Sequence, residues 1–491
     1  MLISAKNILG GHLSAVSGQS QRLEIELPLS KSESNRALMI MHYAGLQRLR
    51  NSETQKLKKS ENCLCDFATL RLCDFVSLSN SDDTVLLQKR LNAINQYIKD
   101  CEQGLLSVVC CQLTLDCHNA GTVFRFLMTA AAVAETQSRR DAKLEVNGQS
   151  QESKSESTVS ILLTGSERMK NRPIDSLVEA LRTLGASIEY QGREGYPPIL
   201  VRDGVIEGGR VEVSAEQSSQ FASSLLLAAP LWKNGLELHL TGNLSSLPYI
   251  DMTIDMMRQC GIDVVRNERV IRVKPGCYNA DNVKVEPDWS AAAFWYEMAS
   301  LSDGAEVLLK NLNVNSLQAD AAAIKMFQSL GVETIPVKEG IVLKKVNSQR
   351  STVNGNSSVG CQFKIQSSEF NFKDCPDLFP AVIAACAGNK VNATFTGLKN
   401  LSIKESDRKL AMMNELSKIN ISFEDVSDDE LKMFCPEGLP YFTDENTMIF
   451  NNYEDHRIAM ALSLLSMKIG TVSMENTDVV SKSYPGFFES M

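Results

Sequence analysis

Nine cations fall in short windows crowded with small polar residues: Lys31, Arg36, Arg125, Arg168, Arg172, Lys404, Arg408, Arg457 and Lys482. In "LPLSKSESNRALMI" (27–40) the neighbours of Lys31 and Arg36 are too short to cover them. Positive charge beside short hydroxyl and amide donors is the chemistry of anion binding. With 31–36 helical, Ser32 and Arg36 share a face while Lys31 points elsewhere, so one motif could serve two anionic groups. In "IKESDRKL" a helix would set Lys404 and Arg408 four apart, a repulsion of roughly 0.2–0.5 kcal/mol that an intervening anion would reverse. Glu405 and Arg408, three apart, are equally able to pair.

These windows open helical segments. A helix N-terminus carries unpaired N–H groups and about half a positive charge, and so attracts phosphate or carboxylate. Ser30, Ser32, Asn119, Thr122, Ser218 and Ser219 supply donors at such heads, and Gly121 would let an anion approach the backbone. The same residue types also serve as plain caps. The sequence has neither G-x-x-x-x-G-K-[ST] nor G-x-G-x-x-G, which argues against ordinary nucleotide binding.

Six polar-headed segments rich in Ala, Leu and Met recur at 30–45, 118–134, 218–231, 288–300, 374–388 and 453–467. Apolar nearly all round, they read as buried helices. Between them run amphipathic helices that start near an acidic or polar residue and end at Gly or Asn before a β-branched strand: 175–190, 251–265, 320–335, 407–424 and, more weakly, 82–98. Asp suits an N-cap and Gly the left-handed residue after a helix. The expected class is α/β, six units of similar plan in two domains of three. Residues 47–62, 135–158 and 347–360 are polar and read as solvent-exposed insertions.

At 491 residues the chain is too long for one core. A net charge of −9 argues against a broad basic surface for nucleic acid. No run suggests a membrane span and the N-terminus shows no targeting pattern, so a cytoplasmic location is expected. The 13 cysteines contain no C-x-x-C pair and the five histidines are scattered, so no metal site is expected and the thiols read as reduced.

The motifs resemble the 5-enolpyruvylshikimate-3-phosphate synthases, enolpyruvyl transferases of aromatic amino-acid biosynthesis. "LPLSKSESNRAL" is similar to the family's LPGSKSxSNRAL, "NAGTVFRFL" to NAGTAMRPL, "LTGSERMKNRPI" to LTGxxRMxxRPI and "SSQFASSLLLAAPL" to SSQFLTALLMAAPL. "SLPYIDMTIDMM", "CPDLFP", "LSIKESDR", "YEDHRIAMALSL" and "SKSYPGFFE" follow in family order. The resemblance runs from about residue 27 to 488.

It implies two similar domains, 1–28 plus 287–491 and 29–286, each an inside-out α/β barrel of three units, with the active site in the cleft between them. The implied activity transfers the enolpyruvyl group of phosphoenolpyruvate to the 5-hydroxyl of shikimate 3-phosphate, without cofactor or metal, in a monomer. By resemblance Lys31, Ser32, Arg36, Ser218, Ser219, Gln220, Ser246, Tyr249, Asp377, Asn400 and Lys404 hold shikimate 3-phosphate. Lys31, Asn119, Gly121, Arg168, Gln220, Arg408, Arg457 and Lys482 hold phosphoenolpyruvate. Asp377 and Glu405 carry the proton transfers, helped by Lys31, with His456 as an accessory. Leu29 replaces the family's Gly, and Val123, Phe124 and Phe126 depart from its pattern around Arg125.

Two rival readings follow from the same residues. Transferases acting on UDP-N-acetylglucosamine share fold and donor but lack the SKSxSNR and SSQ patterns, and Cys117 does not match their loop cysteine. A non-catalytic metabolite-binding protein is opposed by the joint presence of Lys31, Arg168, Asp377, Glu405, Arg408, Arg457 and Lys482.

Overall fold

The computed structural model describes residues 1–3, 22–56, 76–102, 112–144, 160–202, 204–214, 218–242, 244, 246–302, 304–346 and 368–491, with backbone alone for 49–56 and 137–144. The chain divides into two compact units: a first unit of Met1–Ser30 with Glu286–Met491, and a second of Lys31–Val285.

All six polar-headed segments are helices: Lys31–Lys56, Gly121–Leu144, Ser219–Ala228, Trp289–Leu301, Phe379–Gly388 and His456–Leu464. Every residue of Phe379–Gly388 and His456–Leu464 is buried, as are all of Trp289–Leu301 but Ser290. Helices this apolar can only be interior, and each unit closes its own core around three of them.

Four four-stranded sheets share one topology. In each, two parallel strands are followed by a hairpin whose second strand pairs with the second parallel strand; a helical crossover joins the parallel strands in three, and in the fourth the whole second unit and the helix Trp289–Leu301 lie between them. In the second unit the parallel pairs are Gln112–Asp116 with Ser160–Thr164, and Gly209–Ser214 with Leu236–Thr241. In the first they are Arg22–Ile25 with Glu306–Lys310, and Ser368–Asn371 with Ala393–Thr396. A smaller sheet pairs Met448–Ile449 in parallel with Val472–Ser473, and adds Leu2–Ile3. Parallel pairing aims the C-terminal ends of both strands the same way, so the two loops that follow them lie together.

The amphipathic helices end as their sequences predict, on left-handed residues: Gly185 (φ 109°), Gly261 (φ 87°), Gly331 (φ 82°) and Asn420 (φ 66°). Their starts differ from expectation. Asp407 caps its helix by accepting from Leu410 N–H, whereas Asp175 is the first helical residue and Asp251 lies inside Leu247–Gln259. Asp320 caps nothing: it sits in the 3-10 turn Ala319–Ala322, with its side chain turned inward.

The polar stretches also need correction. Residues 47–56 continue the helix from Lys31, and 135–144 continue the helix from Gly121. Gln47 is buried, bridging the Gly276 carbonyl and the Tyr278 N–H, and Glu135 is buried as the acceptor of the Tyr97 hydroxyl. Residues 57–62, 145–158 and 347–360 of those stretches lie outside the described residues. No helix among the described residues is long and apolar enough to cross a membrane.

Leu29 forms an antiparallel bridge with Pro287, flanked by Ser30 N–H to Glu286 carbonyl (2.8 Å) and Asp288 N–H to Pro28 carbonyl (2.9 Å). Its backbone angle is not left-handed, so the glycine of related sequences is not required there.

Candidate active site

In the second unit, the candidate residues follow the ends of the parallel strands. The loops after Gln112–Asp116 and Ser160–Thr164 are tied by Cys117 N–H to Thr164 carbonyl (2.9 Å) and Ser166 N–H to His118 carbonyl (2.9 Å). This brings Asn119 and Gly121 beside Arg172. A methyl group on Gly121 would lie 2.5 Å from Arg172 Nη1, so the guanidinium lies flat against a backbone that only glycine opens to it. Arg168, the resemblance's donor-binding residue, is exposed on the short helix Glu167–Lys170, and the cation at Gly121 is Arg172. The "RMKNR" spacing carried that signal, since both arginines were visible in the window. The Asn119 Oδ1 is buried and has no partner in the described fold.

Gln220 joins two helix heads. Its Nε2 donates to Thr122 Oγ1 (2.7 Å), and its Oε1 accepts from Arg125 Nη1. Ser218 caps Ser219–Ala228 by accepting from Gln220 N–H (3.2 Å), so capping is its observed role, and Ser219 is buried behind it. Ser246 takes a left-handed conformation (φ 56°) ahead of Leu247–Gln259, half-buried, as is Tyr249.

Arg36 departs from the simple anion-binding expectation. It is buried and bonds Thr253 Oγ1 (2.7 Å), the Ser32 carbonyl (2.8 Å), the Tyr249 carbonyl (3.0 Å) and Ser223 Oγ (3.3 Å). Ser32 and Arg36 do share a face, but the guanidinium is engaged in fixing the backbone at Ser32 and Tyr249. Burial lowers it to about 10, which leaves it charged at neutral pH. Lys31 pairs with the buried Asp83 (3.2 Å), a carboxylate missed in the sequence although "SDDTV" heads a helix. Phe126 packs under the Arg36 guanidinium, and it and Val123 and Phe124 are core residues. Cys117 is buried, and burial pushes its thiol far up, so this thiol does not serve as the reactive cysteine of the rival reading.

The first unit holds a denser cluster. Arg408, 1% exposed, donates to three carboxylates: Asp455 from Nε (2.8 Å), Asp377 from Nη1 (2.7 Å) and Glu405 from Nη2 (3.0 Å). The helix starts only at Arg408, so Lys404 precedes it and the four-residue spacing is not helical. An anion does lie between these two cations, and it is Asp377 Oδ1, at 3.3 Å from Lys404 and 2.7 Å from Arg408. Arg457 Nη2 takes Asp377 Oδ2 (3.0 Å). Burial by itself raises the Asp377 carboxyl, but Arg457, Lys404 and Arg408 outweigh it and hold it well below the usual carboxylate range. Glu405 pairs with Arg408 and also with Lys482 (3.3 Å). Asn400 stands half-buried in the turn Lys399–Leu401, just before Lys404.

Asp455 is the residue the sequence reading passed over. It is fully buried, caps His456–Leu464 by accepting from Arg457 N–H (3.0 Å), and accepts from Ser406 (3.1 Å) as well as Arg408. His456 is 1% exposed with Nδ1 3.8 Å from Asp455, beyond hydrogen-bonding distance, so it stands behind the cluster rather than at its open side.

Repeated α/β units that present cations, short donors and paired carboxylates after parallel strands define an enzyme of anionic, phosphorylated or carboxylated substrates. The chain belongs to the family described as EPSP synthase (3-phosphoshikimate 1-carboxyvinyltransferase), which it matches over residues 17–491. It is 33% identical over 469 residues to a 3-phosphoshikimate 1-carboxyvinyltransferase of Bacteroides fragilis, covering 95% of this chain and 94% of that one. One from Vibrio vulnificus is 28% identical over 473 residues, covering 95% of each. Among solved structures, an EPSP synthase from Acinetobacter baumannii matches with TM-score 0.60 at 20% identity over 96% of both chains, a likeness of fold.

Proposed function

We infer that this chain transfers the carboxyvinyl group of phosphoenolpyruvate to the 5-hydroxyl of shikimate 3-phosphate, releasing phosphate, as a cytoplasmic monomer whose two units are inside-out α/β barrels. The observation that carries the reading is the first unit's cluster: Asp377 beneath three cations, and Glu405 between Arg408 and Lys482. The carboxylates occupy in advance the cations that the substrates' anionic groups need.

The site assignments given by resemblance stand as our reading, with Arg172 added at Gly121. Phosphoenolpyruvate takes a proton on its methylene carbon from Glu405 while the hydroxyl oxygen bonds to the neighbouring carbon and gives its proton to Asp377. The tetrahedral intermediate then breaks its bond to the phosphate oxygen as a methyl proton returns to a carboxylate, and the cations take up the leaving phosphate. Asp377 is a weak base while Arg457, Lys404 and Arg408 surround it. Substrate anions that draw these cations off restore its basicity, so the base forms only in the loaded site. His456 stays an accessory in this reading.

The test is phosphate release from purified protein. Release that needs both substrates supports the reading, and tight binding of shikimate 3-phosphate without release overturns it. Gly121→Ala probes the donor end. The added methyl must displace the Arg172 guanidinium. By the family resemblance glyphosate occupies the phosphoenolpyruvate site, and we expect at least about a tenfold loss of inhibition by it, the equivalent of about 1.4 kcal/mol, with a raised KM for phosphoenolpyruvate. Unchanged inhibition would remove the donor from Gly121.

A further inference from the structure

The repeat places functional residues by rule. After the second strand of each parallel pair come Arg168 and Arg172 (strand end Thr164), Ser246 and Tyr249 (Thr241), Lys404 and Glu405 (Thr396) and Lys482 (Ser473). Among the described parallel pairs one such loop remains without an assigned residue, the one after Glu306–Lys310. It ends at Asp320. Gln318 pins this loop to the head of Trp289–Leu301, accepting from Trp289 N–H (2.9 Å) and donating to the Pro287 carbonyl (2.8 Å).

Asp320 is 3% exposed, its Oδ2 accepts from the Ser290 hydroxyl, and its Oδ1 is buried without a partner. The groups that face it are Arg457 from His456–Leu464, Asp377 and Cys375 from the turn before Phe379–Gly388, and Asp288 with Ser290 from the head of Trp289–Leu301. A buried carboxyl with one empty oxygen, beside the Asp377–Arg457 pair and in the loop position used by the other described parallel pairs, is not a helix cap.

We propose that Asp320 is a positioning residue for this reaction: when an anionic substrate binds Arg457, Asp320 takes up one proton from solvent on Oδ1 and so offsets the added charge. This rests on the transferase reading above. In the unloaded site burial, with repulsion from Asp377, raises Asp320 to about 6, while Arg457 and the Ser290 hydrogen bond oppose that rise. An anion on Arg457 weakens its hold and adds a like charge, so the proton stays bound at neutral pH. Donor binding therefore weakens as pH rises from 6 to 8, by up to about tenfold per unit for one linked proton. A phosphate monoester's own ionisation near pH 6 acts alike on wild type and variant, and cancels between them.

The experiment is calorimetric titration of phosphoenolpyruvate into the intact protein with shikimate 3-phosphate present, at pH 7 in two buffers of different ionisation enthalpy, using Glu405→Gln to prevent turnover. We expect about half to one proton more taken up than by the same protein carrying Asp320→Asn. We also expect the rise of the donor KM with pH, in the Glu405 protein, to flatten in Asp320→Asn, a signature that a structural role would not give. Ser290→Ala is the second variant: with the hydroxyl lost, Asp320 holds a proton more readily before the donor arrives, so the uptake at pH 7 shrinks and moves to higher pH. Equal uptake in both proteins, with the donor still bound, overturns the role of Asp320. Failure of the Asp320-containing protein to bind donor, or of wild type to turn over, overturns the transferase reading instead.

Discussion

Glu405→Gln lowers turnover by roughly a thousandfold, within the 10²–10⁴ range of a positioned acid, while shikimate 3-phosphate still binds. The side chain keeps its length and one acceptor oxygen, so the Lys404–Arg408 turn keeps its shape. It cannot carry a proton, and its amide turns donors toward Arg408 Nη2 or Lys482 Nζ, which lie 3.0 and 3.3 Å from the carboxylate. The loss should fall on kcat, because the proton is transferred only as carbon is attacked, and the KM for the acceptor should change little. Phosphate release and equilibrium binding on one preparation separate the two. Turnover within fivefold of wild type would mean that another group supplies the proton, and Asp377 would then have to serve in both directions.

What the sequence announced, and what it did not, divides along a physical line. Buried helices, glycine ends and repeat number follow from local rules of periodicity and backbone angle, so 30–45 or 374–388 could be read without a fold. The helical extensions at 47–56 and 135–144 escaped because polar composition suggested insertion, although Arg, Lys, Gln, Glu and Ala are good helix formers. Pairings are different in kind. That Arg408 serves Asp377 and Glu405 of its own repeat and Asp455 of the next at once depends on two repeats converging, and no spacing within "IKESDRKL" reports it. Asp320 was misread for the same reason. An Asp before a helix looks like a cap until the fold brings Ser290 from the preceding helix and Arg457 from another repeat beside it.

Replacing Glu297 by Met should stabilise the first unit by about 1–3 kcal/mol, the cost of leaving buried polar atoms unsatisfied. Glu297 lies inside Trp289–Leu301, fully buried, and neither of its oxygens has a hydrogen-bond partner in the described fold. Burial raises its carboxyl well above the usual range, which favours the neutral acid in the fold. The native state then binds one proton more than the unfolded chain at every pH between the ordinary value, about 4.3, and its raised one. Stability accordingly falls as pH rises through that window. Glu297→Met removes both this loss and the unsatisfied polar atoms at nearly constant volume and helix propensity. Glu297→Gln removes only the titration, so it should gain less than Met at pH 5 and flatten the slope between pH 5 and 8 just as Met does. Urea unfolding at those pH values measures this, and an unaltered slope in Glu297→Gln would show that Glu297 is charged and paired in the fold. Nothing in the structure explains why a carboxyl stands there. Its helix carries Asp288 and Ser290 at the head, two turns away, so stabilising the stem should leave turnover at 25 °C unchanged and shift only the temperature at which it is lost.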